Sequence, residues 1–136
     1  MSNDVAACQQ IYRREALGFL HYVRQAVPFS VTKDKQLTAD VLALALREAN
    51  AVQTFGEFLE EARMSVPLVG AFPTQFTNYN FINIRKLLPL LAESQRTSIA
   101  QLKNDLSSFA EGKAKQHVEQ LLACKQQTAS ELLRLT

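Results

Sequence analysis

Apolar side chains recur every three or four residues along four long stretches of this 136-residue chain, and little interrupts them. There are only four glycines and four prolines and no tryptophan, while Leu, Ala, Gln and Glu are abundant, which favours helix over sheet. The first stretch is expected to run from Asn3 or Asp4, either of which can cap a helix, to about Val27, where Pro28 stops it. The second starts near Thr38, after the polar turn VTKDKQ, and ends near Met64, ahead of Pro67. The third begins within PTQFTNYN and continues to about Phe109. Pro89 lies inside it and removes the bond to the carbonyl of Arg85, so a kink is expected there. The fourth starts near Glu111, in the joint EGK, and reaches the last residue. One domain over residues 1–136 is long enough to bury its own core.

The joints between these stretches are unequal, and the inequality limits the topology. Short turns join the first to the second and the third to the fourth, so each pair should lie antiparallel. Between the second and third lie the 13 residues SVPLVGAFPTQFT. Extended at roughly 3.3 Å per residue they span about 40 Å, close to the length of the second helix at roughly 1.5 Å per residue. That suffices for a crossover running the full height of a bundle, and Val66, Leu68, Val69, Phe72 and Phe76 suggest that it packs along the helices. The expected fold is all-α, a four-helix bundle of two antiparallel pairs joined by one long crossover. Thr77, Asn78, Asn80 and Asn83 are expected to cap the third helix and tie down that crossover.

In ALALREANAVQTF, residues 43–55, Glu48 sits among the apolar positions Leu44, Ala45, Ala51, Val52 and Phe55 rather than opposite them. On a wheel of about 100° per residue, each of the other helices has a similar intruder. Glu15 falls among Cys8, Tyr12, Phe19, Val23 and Ala26 of the first helix. The third presents Gln95 with Ser94 and Ser98, and the fourth presents Lys125 with Thr128. The midpoints of the four stretches fall near residues 15, 51, 94 and 124, so Glu15, Glu48, Gln95 and Lys125 lie within a turn of one level. Surface charges would scatter. A single buried polar layer of Glu15, Glu48, Gln95, Ser98, Lys125 and Thr128 is therefore expected, with Tyr12 or Tyr22 able to add a hydrogen bond.

The crossover and the acidic mid-height level together resemble the ferritin-like superfamily. There, a Glu from each of two helices and Glu-x-x-His from each of the other two hold a pair of metal ions. Glu15 stands where the lone carboxylate of the first helix would fall. In EANA of the second helix, Glu48 matches the Glu and Ala51 takes the His position. Gln95 sits where the third helix would offer its Glu, and in KQQT of the fourth, Lys125 and Thr128 replace Glu and His. By this alignment two of six ligands remain. Two cations need several carboxylates and imidazoles, whereas here two carboxylates meet an ammonium that replaces a metal. The resemblance thus implies a degenerate site with no cofactor. If any metal is held, Glu15 and Glu48 would hold it, with iron or manganese as the alternative. His21 points away from the inner arc and is expected at the surface, and His117 lies roughly 12 Å before Lys125 along the helix. Haemerythrin-like and DinB-like bundles use more histidines than the two present.

The net charge of +2 comes from 15 basic and 13 acidic residues in mixed order, so nucleic acid is not an expected partner. No apolar run of about 18 residues exists to span a membrane. MSNDVAACQQ lacks the charged-then-apolar pattern of an export signal, and a cytoplasmic location is expected. Cys8 and Cys124 have no metal or redox spacing and are read as packing side chains. With the first and fourth helices parallel, Cys8 should lie level with about residue 118, too far from Cys124 for a disulfide. No Ser–His–Asp spacing or phosphate-cradling glycine loop occurs, and a lysine between two carboxylates would keep both ionised. The expected function is therefore non-catalytic: a small bundle acting in self-association (a homo-oligomer) or in binding a protein partner. The alternative is a metal-binding ferritin-like oxidoreductase or iron-handling protein with an atypical site. A third reading is a small-ligand pocket lined by Tyr12, Tyr22, Ser94 and Ser98.

Overall fold

The computed structural model describes residues 2–26, 31–80 and 82–136. Its regular elements there are all helical: α1 (Ser2–Ala16), α2 (Phe19–Ala26), α3 (Lys35–Glu61), α4 (Ile84–Leu106) and α5 (Lys113–Leu135). Short 3-10 turns occupy Thr32–Asp34 and Thr74–Tyr79. Among the described residues, no helix is long and apolar enough to cross a membrane.

The first expected helix is two helices. The end of α1 tightens, with the N–H of Leu17 on the Arg14 carbonyl and that of Gly18 on the Glu15 carbonyl. Then α2 restarts, His21 and Tyr22 both donating to the Gly18 carbonyl. Glycine inside a helix costs about 1 kcal/mol relative to alanine, so this is the weakest place to hold one continuous helix. The break changes the helical phase of every residue after it. In α2, Phe19, Leu20, His21 and Val23 are buried, while Ala26, expected inside, is exposed. The expected stop at Pro28 lies outside the described residues.

At the end of α3 the N–H of Met64 reaches the Leu59 carbonyl at 2.8 Å and that of Arg63 reaches Glu60 at 3.0 Å. This is a Schellman ending, with Arg63 at φ 60° in the left-handed position that glycine usually takes. Beyond it, Met64 and Val66 pack on one apolar cluster, and Phe76, Tyr79 and Ile82 pack on another. Asn83 caps α4, its Oδ1 accepting from the Arg85 N–H at 2.9 Å. Asn80 accepts from the Tyr22 hydroxyl and ties the segment to α2, whereas Asn78 is exposed. Through Pro89, α4 continues without interruption. Gly112, at φ 153° and ψ −172°, a region open essentially to glycine alone, turns the chain into α5.

The interior consists of two apolar clusters. The first joins Phe19, Leu20 and Val23 of α2 to Val41, Leu44 and Ala45 of α3, with Ile84, Leu87, Leu88 and Leu91 of α4 and Leu132 of α5. The second joins Cys8 and Ile11 of α1 to Val52, Phe55, Phe58 and Leu59 of α3, with Leu102, Phe109, Val118 and Leu121. Each buried side chain of this kind contributes about 1.5–3 kcal/mol by leaving water. The order in which the chain visits the clusters gives the directions: α3 and α4 run one way, and α5 and the α1–α2 segment taken together run the other. The most extensive packing is of α5 on α4 and then on α3, and α1 packs chiefly on α3.

Candidate functional site: a buried ionic layer

Between the two apolar clusters every long helix places a polar side chain. Glu15 lies in the last turn of α1, Glu48 and Gln95 in the middle of α3 and α4, and Lys125 in the middle of α5. They are 2%, 1%, 3% and 2% exposed. The Lys125 ammonium lies among the other three: Nζ is 2.7 Å from Glu15 Oε1, 3.4 Å from Glu48 Oε2 and 3.3 Å from Gln95 Oε1. An ammonium has three hydrogens and accepts nothing, so these three acceptors match its capacity. Gln95 Nε2 in turn donates to Glu48 Oε1 at 2.6 Å.

Glu15 is held from two further sides. The half-buried Ser98 hydroxyl lies 2.8 Å from both its oxygens. Arg14 Nε lies 3.2 Å from Glu15 Oε2, and Arg14 Nη2 continues to Asp105 at 2.9 Å, carrying the network toward the surface. Burial alone would raise the Glu15 carboxyl. The adjacent Lys125 charge, hydrogen bonds from Lys125 and Ser98, and the Arg14 charge outweigh it and hold the group below its ordinary range.

Five of the six expected layer residues thus meet. Thr128, fully buried, does not join them: its hydroxyl accepts from Arg47 Nη2 at 3.1 Å, and Arg47 also pairs with Glu131. Thr128 stands nearly a turn beyond Lys125, on the side of α5 that meets α3, so it serves a neighbouring network.

His21 corrects the expectation of a surface histidine. It is 7% exposed, with Nε2 3.7 Å from Glu48 Oε2 and no hydrogen-bond partner. A wheel carried straight through Leu17 and Gly18 assigns it to solvent, and the break there rotates it inward. Gly18 within a helical stretch was the available signal. Burial, which favours the neutral ring, lowers the His21 pKa below its ordinary value against the opposing pull of the Glu48 carboxylate. His117 takes no part: it stacks on Phe58, with ring centroids 4.0 Å apart and planes 15° apart.

Two cavities flank the α1–α2 segment. One, of about 360 Å³, opens onto Glu15, Ser94, Gln95, Ser98 and Lys125. The other, of about 540 Å³, is lined by Tyr12 and His21. The single pocket expected from Tyr12, Tyr22, Ser94 and Ser98 is therefore divided. Tyr22 spends its hydroxyl on Asn80 and packs its ring against Phe72 and Phe76.

A metal ion between Glu15 and Glu48 would meet an ammonium already paired with both. Among the described residues, no three His, Cys, Asp or Glu side chains converge as ligands. This donor set does not fit a di-metal centre. Both cysteines are free. Burial and the nearby Asp4 charge push the Cys8 thiol up to about 11, and burial foremost also raises Cys124, so neither is poised as a thiolate. Compared with known proteins, the chain matches no family model, no curated protein and no solved structure.

Proposed function

We propose that this chain is a non-catalytic, cytoplasmic, ferritin-like four-helix bundle in which an ionic cluster substitutes for the di-metal layer. In this reading it acts by self-association or by binding a protein partner. Counting α1 and α2 as one broken helix, neighbouring helices are antiparallel. The segment between α3 and α4 packs first on one apolar cluster and then on the other, as a long crossover would. The observation that carries the reading is the Lys125 ammonium, 2.7 Å and 3.4 Å from the two carboxylates that correspond to metal ligands. A cluster whose charges satisfy one another offers no open coordination position. The outer faces are then the working surface, where Leu46 on α3 and Leu133 on α5 are 47% and 64% exposed.

A metal-binding oxidoreductase or iron-handling protein is the second reading, favoured by the imidazole of His21 beside Glu48. It requires Lys125 to withdraw. Elemental analysis of protein prepared without chelator, with light scattering on the same sample, separates the two. The proposal expects substoichiometric metal and a mass above that of the monomer, reduced by Leu46→Glu with Leu133→Glu. Stoichiometric iron or manganese that disappears in Glu48→Gln would overturn it. A persistent monomer would remove self-association and leave partner binding.

A further inference from the structure

Apolar side chains occupy two faces of α3. One face builds the core and the ionic layer. On the other, Ala39, Leu42, Leu46 and Ala49 follow one another at steps of three and four residues, the spacing of a coiled-coil seam. Ala39 and Leu46 are exposed, and Leu42 and Ala49 are half-buried. The charged residues within this span turn elsewhere: Asp40 accepts from Gln36, Arg47 pairs with Glu131 of α5, and Glu48 belongs to the layer. Gln53 continues the seam, and Ala49, Gln53, Glu57 and Glu60 form one wall of the cavity of about 540 Å³. The face thus becomes a groove toward the end of α3.

The charges at the two ends of this helix oppose its own dipole. Lys35 stands in the first turn and Glu60 and Glu61 in the last, with no acidic residue in the first turn and no basic one in the last. A helix favours the reverse order. Lys35 and Glu57 are both exposed, and each lies eleven residues from Leu46, about 16 Å along the axis. On a wheel of about 100° per residue, both fall within about 20° of Leu46. The seam therefore has a leucine at its centre, a cation at one end and an anion at the same distance on the other.

We infer that this face of α3 docks a second copy of the chain, antiparallel, with a two-fold axis at Leu46. The inference rests on the self-association reading above and names its surface. The axis sets Lys35 of each copy opposite Glu57 of the other and brings the two Leu46 side chains together. Leu42 then meets Leu46 and Ala49 of the other copy, and the small Ala39 and Ala49 let the backbones approach. The stretch from Lys35 to Leu42 lies along the other copy's groove. Antiparallel docking also sets the first turn of each α3 beside the acidic end of the other, which offsets the unfavourable charge order. A parallel pair would set lysine against lysine and glutamate against glutamate. A surface that complements itself in this way suits a two-fold dimer. With one helix from each copy the contact is at the small end of interfaces, so dimerisation depends on concentration.

Sedimentation velocity of the full chain across a concentration series tests the inference, with the parent compared to Lys35→Glu, Glu57→Lys and the double charge swap. The parent is expected to dimerise. Each single variant sets like charges together at both ends and should weaken the dimer about tenfold. An equal mixture of the two single variants should pair again, as should the double swap, because each restores opposite charges at both ends. Both single changes suit the helix dipole, so the folded copy should keep its circular dichroism and thermal stability. A dimer that both single variants leave intact, or single variants that stay apart on mixing, would overturn the inference and keep self-association. A parent that is monomeric at every concentration would overturn both.

Discussion

Replacing Lys125 with methionine keeps an unbranched stem in the core and removes only the ammonium. Three contacts go with it, at 2.7 Å to Glu15, 3.4 Å to Glu48 and 3.3 Å to Gln95. Glu15 would retain Ser98 and Arg14, at 2.8 Å and 3.2 Å. Glu48 would retain only the Gln95 amide at 2.6 Å and the His21 ring at 3.7 Å. Removing one partner of a buried pair costs about 3–5 kcal/mol, and with two carboxylates affected the upper half of that range, about 4–5 kcal/mol, is expected at neutral pH. The pH dependence is the sharper signature. In the parent protein the Glu15 pKa lies below its ordinary 4.5, so its stabilisation is present above that value and is lost as pH falls through the folded-state value. Without the ammonium the sign reverses. Burial then raises the Glu15 carboxyl, the folded state binds a proton before the unfolded chain does, and Lys125→Met regains stability relative to the parent as pH falls. Urea denaturation monitored by circular dichroism at about pH 7.5 and about pH 5 measures both effects. A loss under about 1 kcal/mol, or the same loss at both pH values, would refute the reasoning.

Lys125→Glu should destabilise further by gathering three carboxylates, with thermal stability partly restored by manganese(II); unchanged stability with and without the cation would remove Lys125 from the layer. His21 has a depressed folded-state pKa, so stability should decline as pH drops below the unfolded value of 6.5 and level off beneath the folded value. His21→Gln should flatten that part of a denaturation-against-pH profile, and an unaltered slope would exclude His21 as its source. Arg63→Gly should stabilise by about 1 kcal/mol in a thermal melt, because glycine relieves the left-handed conformation at φ 60°. Gly56→Ala should cost about 1–3 kcal/mol through the clash with Tyr12. That loss should shrink in a Tyr12→Ala background, and a double-mutant cycle with no coupling would contradict the close approach.

The long helices were legible because their apolar spacing persists over many turns, and Glu48 stood out because its neighbours at that spacing are apolar. The meeting of Glu15, Glu48, Gln95, Ser98 and Lys125 came from height and facing together. His21 was hidden because facing is cumulative: a break at Leu17–Gly18 shifts every later residue, and periodicity alone does not locate it. Thr128 was misassigned for a smaller reason. It is buried as expected, but burial does not say which neighbour an hydroxyl serves, and Arg47 reaches it from α3. The start of α4 was blurred by FTNYN, where the 3-10 turn ends before Asn83 provides the cap.

The division of the core into two apolar halves has a consequence for alignment. Leucines are nearly interchangeable partners, so a helix in a wholly apolar interior could slide by one turn, about 5.4 Å, and still find hydrocarbon opposite hydrocarbon. Here the same slip of α5 would draw Lys125 away from both carboxylates and toward one of the two apolar clusters that flank the layer. It would leave Glu15 and Glu48 without their shared counter-charge, the kind of loss by which one polar core residue selects a single register. The ionic layer thus fixes the relative heights of helices that apolar contact alone would leave free to shift.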